Sequence, residues 1–257
     1  VAKLRPLMPA SDANGQSLAM EEVARVGGRT ERLKLEAAEG ELEPIAYPIL
    51  DNTTIDEQVG ASTDDCYRRL KSDYWSLTSD RCWVGAMSST YYQLGSGMRF
   101  QTVALPQGCT INTAYLTLRC KTAAGGTNCN SRISAEDVDD APTFADDKDA
   151  FDARWAGRTT ARVNWDNIPA WTVDTNYNSP EIKTVIKEIV DRVGWASGND
   201  IVIFWEDFED RSTHADNCYR NSHSYNSSTS YAPKLHIEYS AAAYIPRHSG
   251  SVGVLMF

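Results

Sequence analysis

Short segments with strand periodicity dominate the chain from residue 61 onward. Residues 113–120 (Thr-Ala-Tyr-Leu-Thr-Leu-Arg-Cys) and residues 234–239 alternate between polar and apolar side chains, the pattern of a half-buried strand. Residues 201–205 are an unbroken apolar run, which is typical of a strand buried on both faces. Gly-, Pro- and Asn-rich connections separate these segments, so residues 61–240 predict an all-β fold, an antiparallel jelly-roll β-sandwich. Residues 130–136 are the expected hairpin partner of residues 113–120.

One helix is predicted over about residues 180–193. Ser179 is an N-cap residue, Pro180 suits the first helical position, and Gly194 is a typical C-terminal stop. A single apolar stripe follows at helical spacing: Ile182, Val185, Ile186, Ile189 and Val193. We expect this stripe to pack on one end or face of the sandwich.

Two flanking segments differ from the sandwich. Residues 1–60 contain no cysteine and no tryptophan, and we interpret them as an ordered arm, with a flexible leader as the alternative. Residues 241–257 form an apolar tail whose last six residues carry no charge. Such a segment needs an apolar groove on its own domain or on a neighbouring subunit. The candidate assembly residues are Val252, Val254, Leu255 and Phe257.

Composition excludes two classes of function as leading hypotheses. The chain has 257 residues, with 35 acidic and 25 basic side chains and a net charge of −10. Binding to nucleic acid or to an anionic membrane depends on neutralising phosphates with Lys and Arg, which this charge opposes. No apolar run reaches the length of about 18–20 residues that membrane insertion by a helix requires.

Six cysteines are present, and none forms a C-x-x-C pair: Cys66, Cys82, Cys109, Cys120, Cys129 and Cys218. Zinc fingers and ribbons need close ligand pairs, so disulfides in an oxidising environment are favoured. The best candidate is Cys120–Cys129, which brackets the expected hairpin loop. The other pairings stay open, and six buried free thiols are the alternative.

Five motifs occur in a recognisable order: residues 106–116, 135–144, 169–171, 193–199 and 231–239. This order resembles the DNRLRE-type and carbohydrate-binding-module-like jelly-roll modules of bacterial extracellular proteins. The most specific motif is the last, Tyr-Ala-Pro-Lys-Leu-His-Ile-Glu-Tyr. The resemblance implies an accessory module that binds glycans, spaces domains or builds surface structures, without catalytic residues.

No catalytic constellation is evident. The nucleophile motif G-x-S-x-G is missing, and the four histidines are scattered along the chain. The carboxylate pairs Glu206–Asp207 and Glu209–Asp210 leave a glycoside hydrolase as a third class, which would need two facing carboxylates in a cleft. We expect that the protein is not an enzyme.

An acidic segment between Glu136 and Asp152 is the candidate metal site. Calcium binds six to eight oxygen ligands, and Asp-rich loops on β-sandwiches supply them. The spacing is not that of an EF-hand, and a solvated acidic loop is the alternative. The candidate ligands are Asp137, Asp139, Asp140, Asp146 and Asp147.

Aromatic residues with polar neighbours are the candidate glycan-stacking site. Trp75, Tyr91 and Tyr92 are flanked by Ser, Thr, Asp and Gln, which favours exposure more than the settings of Trp195 and Trp205 do. A flat strip of such rings would stack on sugars. Burial in the core or in a subunit interface is the alternative for all three.

The pattern as a whole predicts a non-enzymatic structural subunit of an extracellular assembly, bound to copies of itself or to other structural subunits. The first residues lack the apolar core of a signal peptide, so export by cell lysis, and hence a phage virion (tail, neck, fibre or decoration), is favoured. A secreted filament whose leader is removed and a surface-glycan-binding or adhesive module are the alternatives. The expected location is the virion or the cell surface, and calcium is the one candidate cofactor.

Overall fold

The computed structural model describes residues 52–123 and 128–240, together with two short strands near the N-terminus. Those strands, Ala10–Ser11 (β1) and Ser17–Leu18 (β2), pair antiparallel within a separate unit over residues 1–47. The rest of the predicted arm up to residue 51 and the whole tail 241–257 lie outside the described residues.

The larger sheet has eight antiparallel strands: Asp65–Arg69 (β4), Tyr74–Ser76 (β5), Arg81–Ala86 (β6), Leu94–Phe100 (β7), Cys129–Ala135 (β9), Val163–Ile168 (β10), Ile201–Glu206 (β12) and Cys218–His223 (β13). Six of them lie in the order β10-β9-β12-β7-β4-β5. Strands β6 and β13 pair with each other and join this sheet through the single pairing of Gly85 with Leu94.

The smaller sheet has four strands: Thr53–Gln58 (β3), Thr110–Arg119 (β8), Asn176–Asn178 (β11) and Lys234–Ser240 (β14). Their order is β11-β8-β14-β3. Strand β3 pairs with β14 along its whole length, so the sandwich begins at Thr53, ahead of the boundary expected at residue 61.

One apolar core joins the two sheets. Leu116 and Leu118 of β8 are fully buried in it, together with Ile203 of β12. The alternate residues of β12 face the other way, where Phe204 belongs to a second apolar cluster with Phe151. This arrangement explains the unbroken apolar run of β12, because both faces of the strand are covered. The predicted all-β antiparallel sandwich is confirmed.

The structure has two helices in this part of the chain, Lys148–Ala156 (α1) and Lys183–Val190 (α2). Sequence analysis missed α1, because only Phe151 of its residues is buried and no apolar stripe marks it. Its N-cap is Asp147, whose carboxylate accepts hydrogen bonds from the N–H groups of Asp149 and Ala150.

The predicted helix 180–193 is real but shorter. Ser179 does not cap it, because its backbone and hydroxyl bond to Leu116 of β8, and the helix begins only after Ile182. It ends at Val190, and Val193 is 97% exposed instead of buried. Contact with β8 therefore delays the start of the helix relative to its capping sequence.

The predicted hairpin of residues 113–120 with residues 130–136 is wrong. Strand β8 lies in the smaller sheet between β14 and β11, whereas β9 lies in the larger sheet between β12 and β10. The two strands therefore lie in different layers and do not pair. Alternation identifies a strand but not its partner, and this was the source of the error.

Candidate functional site

The three aromatic residues predicted to stack on sugars occupy different settings. Trp75 packs on Phe151, with ring centroids 5.2 Å apart, and Tyr92 stacks on His214 at 3.7 Å. Only Tyr91 is largely exposed, at 46%. Within the described residues, no ring contact joins the three, so the structure does not assemble them into one strip.

Two of the predicted calcium ligands are held by an arginine. The Arg192 guanidinium pairs with Asp137 and, through Nε at 2.6 Å, with Asp139 Oδ1. Gly194 makes room for this contact, because a Cβ atom at that position would overlap the Asp139 carboxylate. Gly194 thus serves a close approach rather than a helix stop.

The other three candidate ligands have separate partners. Asp140 accepts a hydrogen bond from the backbone N–H of Asp200 at 2.9 Å, and Asp146 accepts one from Trp75 Nε1 at 2.9 Å. Asp147 caps α1. In residues 52–123 and 128–240 no cluster of three or more His, Cys, Asp or Glu side chains could hold a metal ion. Calcium binding stays an untested prediction.

All six cysteines are free and buried, so the expected Cys120–Cys129 disulfide is not formed. Cys120 follows β8 in the smaller sheet and Cys129 begins β9 in the larger one, which removes the hairpin on which the pairing was based. Burial raises the pKa of the Cys82 and Cys129 thiols, and the neutral thiols behave as small core side chains.

The paired carboxylates do not face each other across a cleft. Glu206 and Asp207 are buried, at 0% and 1% exposure, and burial raises the pKa of Asp207 to about 6. The Asp207 carboxylate accepts backbone hydrogen bonds from residues 211 and 212. Glu209 pairs with three arginines, and Asp210 bonds to the His214 ring.

A polar cleft lies on the outer face of the smaller sheet, with a volume of about 220 Å³. It is formed by β8, β11 and the segment that enters β14. No carboxylate, histidine or cysteine lines it. The lining residues are Thr117, Arg119, Asn176, Ser230, Tyr231, Ala232 and Lys234.

Arg119 has an unusual environment at this cleft. Its Cζ atom lies 4.1 Å from the centroid of the Tyr231 ring, and its Nε lies 3.5 Å from Asp174 Oδ1. Every other arginine in residues 52–123 and 128–240 donates at least one hydrogen bond, whereas the Arg119 guanidinium donates none there. Arg119 is therefore a positioned cation that pairs with Asp174 but donates no hydrogen bond within the described residues.

Sequence analysis did not identify the cleft. The alternation in residues 113–120 already placed Thr117 and Arg119 on one face, opposite Leu116 and Leu118. It could not show that Tyr231 approaches that face, because residues 224–233 reach it only through the turns before β14.

No protein-family model matches the chain. A search of the curated proteins finds no match either. Among solved structures, a chain in the cryo-EM structure of mud crab tombus-like virus is similar over 88% of this chain and 96% of that chain, with 10% identity and a TM-score of 0.24. So distant a likeness carries no argument about function, and the resemblance to DNRLRE-type modules stays a prediction. Within the described ranges no helix is long and apolar enough to span a membrane.

Proposed function

We propose that the chain is a non-enzymatic structural subunit of an extracellular assembly, with a phage virion as the setting, and that the segments flanking the sandwich join it to copies of itself. The observation that carries this proposal is the use of arginines as bridges between distant parts of the chain. A secreted filament would use the same construction.

Several bridges start from strands of the larger sheet. Arg99 of β7 pairs with Asp64 at 2.7 Å and also with Asp200, which is 101 positions away. Arg68 of β4 holds Asp152 of α1 in a two-pronged contact, with Nε–Oδ1 and Nη2–Oδ2 distances of 2.9 and 2.8 Å. Contacts of this kind fix geometry as well as charge, so they tie the loops and α1 to the strands.

A further set of bridges converges on a single acid. Glu209 pairs with Arg132 of β9 and with two arginines after α1. A single exposed ion pair contributes little, about 0–1 kcal/mol, but a network holds its members in place. Such a shell keeps the shape of a subunit constant while its surfaces contact neighbours, which is what a repeating assembly requires.

The tail supplies the expected link between copies. Residues 252–257 are apolar and uncharged, and strand addition to a neighbouring sheet edge would satisfy both their backbone and their side chains. Edge strands β3 and β10 offer such edges.

The test is the solution mass of the full chain, measured by light scattering beside two variants. One is truncated after Ser240, and the other carries Val252→Ser, Val254→Ser, Leu255→Ser and Phe257→Ser. A Ser249→Ala/Ser251→Ala variant is the control of equal length. We expect a large oligomer for the full chain and the control, and monomers for both test variants. A full chain that is itself a monomer of 28.5 kDa overturns the proposal.

The second candidate function is glycan binding. The cleft beside Arg119 favours it, and it is compatible with a structural role.

A further inference from the structure

We propose that the cleft on the outer face of the smaller sheet binds a carboxylate-bearing sugar, with Arg119 as the carboxylate receptor. This site is separate from the aromatic residues expected from the sequence and does not depend on the assembly role.

The Arg119 guanidinium is suited to a carboxylate. A planar guanidinium binds a carboxylate through two parallel N–H···O bonds. The Arg119 Nε is buried beside Asp174, so the donors for a ligand are the two Nη groups, which make no hydrogen bond within the described residues. The position of the guanidinium is nevertheless defined, because it lies over the Tyr231 ring, which also makes a T-shaped contact with the His223 ring at a centroid distance of 5.3 Å. Because this side chain is already held in place, binding a ligand costs little side-chain conformational entropy.

The local charge also favours an anion. Lys234 lines the cleft beside Arg119, and the nearby acid is Asp174, which is exposed and only 3.5 Å from Arg119 Nε. Lys121 is engaged elsewhere, by Asp80 and Ser227. Asp174 offsets part of this charge, and with Lys234 the cleft still has a net positive charge on a chain of net charge −10.

The remaining lining indicates a sugar rather than a bare anion. Asn176 and Ser230 have side chains that make no hydrogen bond among the described residues, so they are free to bind hydroxyl groups. Tyr231 is 41% exposed, and the part of its side chain that Arg119 does not cover adds apolar surface for a pyranose. The volume of about 220 Å³ is below the roughly 300–1,000 Å³ of sites for drug-sized ligands, which fits a single sugar ring.

The test is calorimetric titration of the full chain with the methyl glycosides of glucuronic acid and N-acetylneuraminic acid. Methyl glucoside and acetate are the paired probes that carry only the ring or only the carboxylate. We expect at least one acidic glycoside to bind at least tenfold more tightly than either. Arg119→Met should weaken that binding by about tenfold or more, and Arg119→Lys, which keeps the charge but not the fork, by less.

Two further variants separate this site from general charge effects. Lys183→Gln removes a positive charge at the start of α2 and should leave binding unchanged. Asp174→Asn removes the competing carboxylate and should leave binding equal or tighter. The solution mass is recorded on each sample, so loss of binding and loss of assembly are scored separately.

Three results would each overturn the proposal. The first is the absence of binding by either acidic glycoside. The second is acetate or methyl glucoside binding as tightly as the acidic sugars, which would mark a plain anion site or a neutral-sugar site. The third is unchanged affinity in a folded Arg119→Met variant.

Discussion

The Asp65 carboxylate accepts a hydrogen bond from the backbone N–H of Tyr225, 160 positions further along the chain, at an N–Oδ2 distance of 2.6 Å. Asp65 is 1% exposed, and burial raises its pKa to about 7 despite the lowering effect of this hydrogen bond. The neighbouring Asp64 raises the pKa further. The link between β4 and the loop after β13 is therefore made by a carboxyl group whose charged form is disfavoured.

This environment predicts a pH-dependent contribution to stability. The pKa of Asp65 is higher in the folded state than the value of about 3.9 in an unfolded chain, so its contribution is fully present below about pH 4 and is lost as the pH rises through about 7. Asp65→Asn keeps an acceptor without the charge. We compare the free energy of unfolding of the variant with that of the wild type. The difference, variant minus wild type, should be about 2–4 kcal/mol larger at pH 8 than at pH 5.

The measurement is urea unfolding of both proteins at the two pH values. Asp216→Asn, an exposed change, is the control and should track the wild type. A wild-type-to-variant difference that is the same at both pH values would contradict the proposed burial effect.

Gly194→Ala should destabilise the protein by about 0.5–1 kcal/mol, because its Cβ atom would overlap the Asp139 carboxylate and displace it from its partly exposed ion pair with Arg192. Gly157→Ala is the matched control, since the nearest atoms to its Cβ lie at 3.7 Å. Denaturant unfolding compares the two. Equal stabilities would show that Asp139 moves aside at no cost.

Arg154→Met should cost about 3–5 kcal/mol, because it leaves the Glu136 carboxylate, 6% exposed, without its guanidinium partner. The same change at Lys187, whose pair with Asp191 is on the surface of α2, should cost no more than about 0.5 kcal/mol. Thermal and denaturant unfolding measure both. Similar losses for the two variants would refute the distinction between the buried and the exposed pair.

All six cysteines are free and buried, so none should react with an alkylating reagent in the native protein. All six should react after the protein is unfolded without reductant. Burial raises the pKa of Cys66 and Cys82, which suppresses the reactive thiolate. Alkylation followed by mass spectrometry counts them. If fewer than six thiols react in the unfolded, unreduced chain, the protein contains a disulfide and this prediction is wrong.

The local pattern of the chain was enough to predict several elements correctly. The alternation in β8 and β14 follows from the two-residue period of a strand, and the apolar run of β12 from burial on both of its faces. Both patterns are visible within the single segment. The buried stripe of α2 was predictable up to Val190, because the helical spacing of its apolar residues is also visible within one segment.

Partnerships between distant segments were decided only by the tertiary structure. The separation of β8 from β9, and with it the free state of Cys120 and Cys129, depends on which layer each strand joins. The acidic residues between Glu136 and Asp152 predicted a cation site, which stays a prediction, and only the fold shows that arginines pair with Glu136, Asp139 and Asp152. Sequence alone determined which side chains share a face, because that is set within a few residues. What each face meets is a matter of long-range packing, and that packing decided the arginine bridges and the cleft beside Arg119.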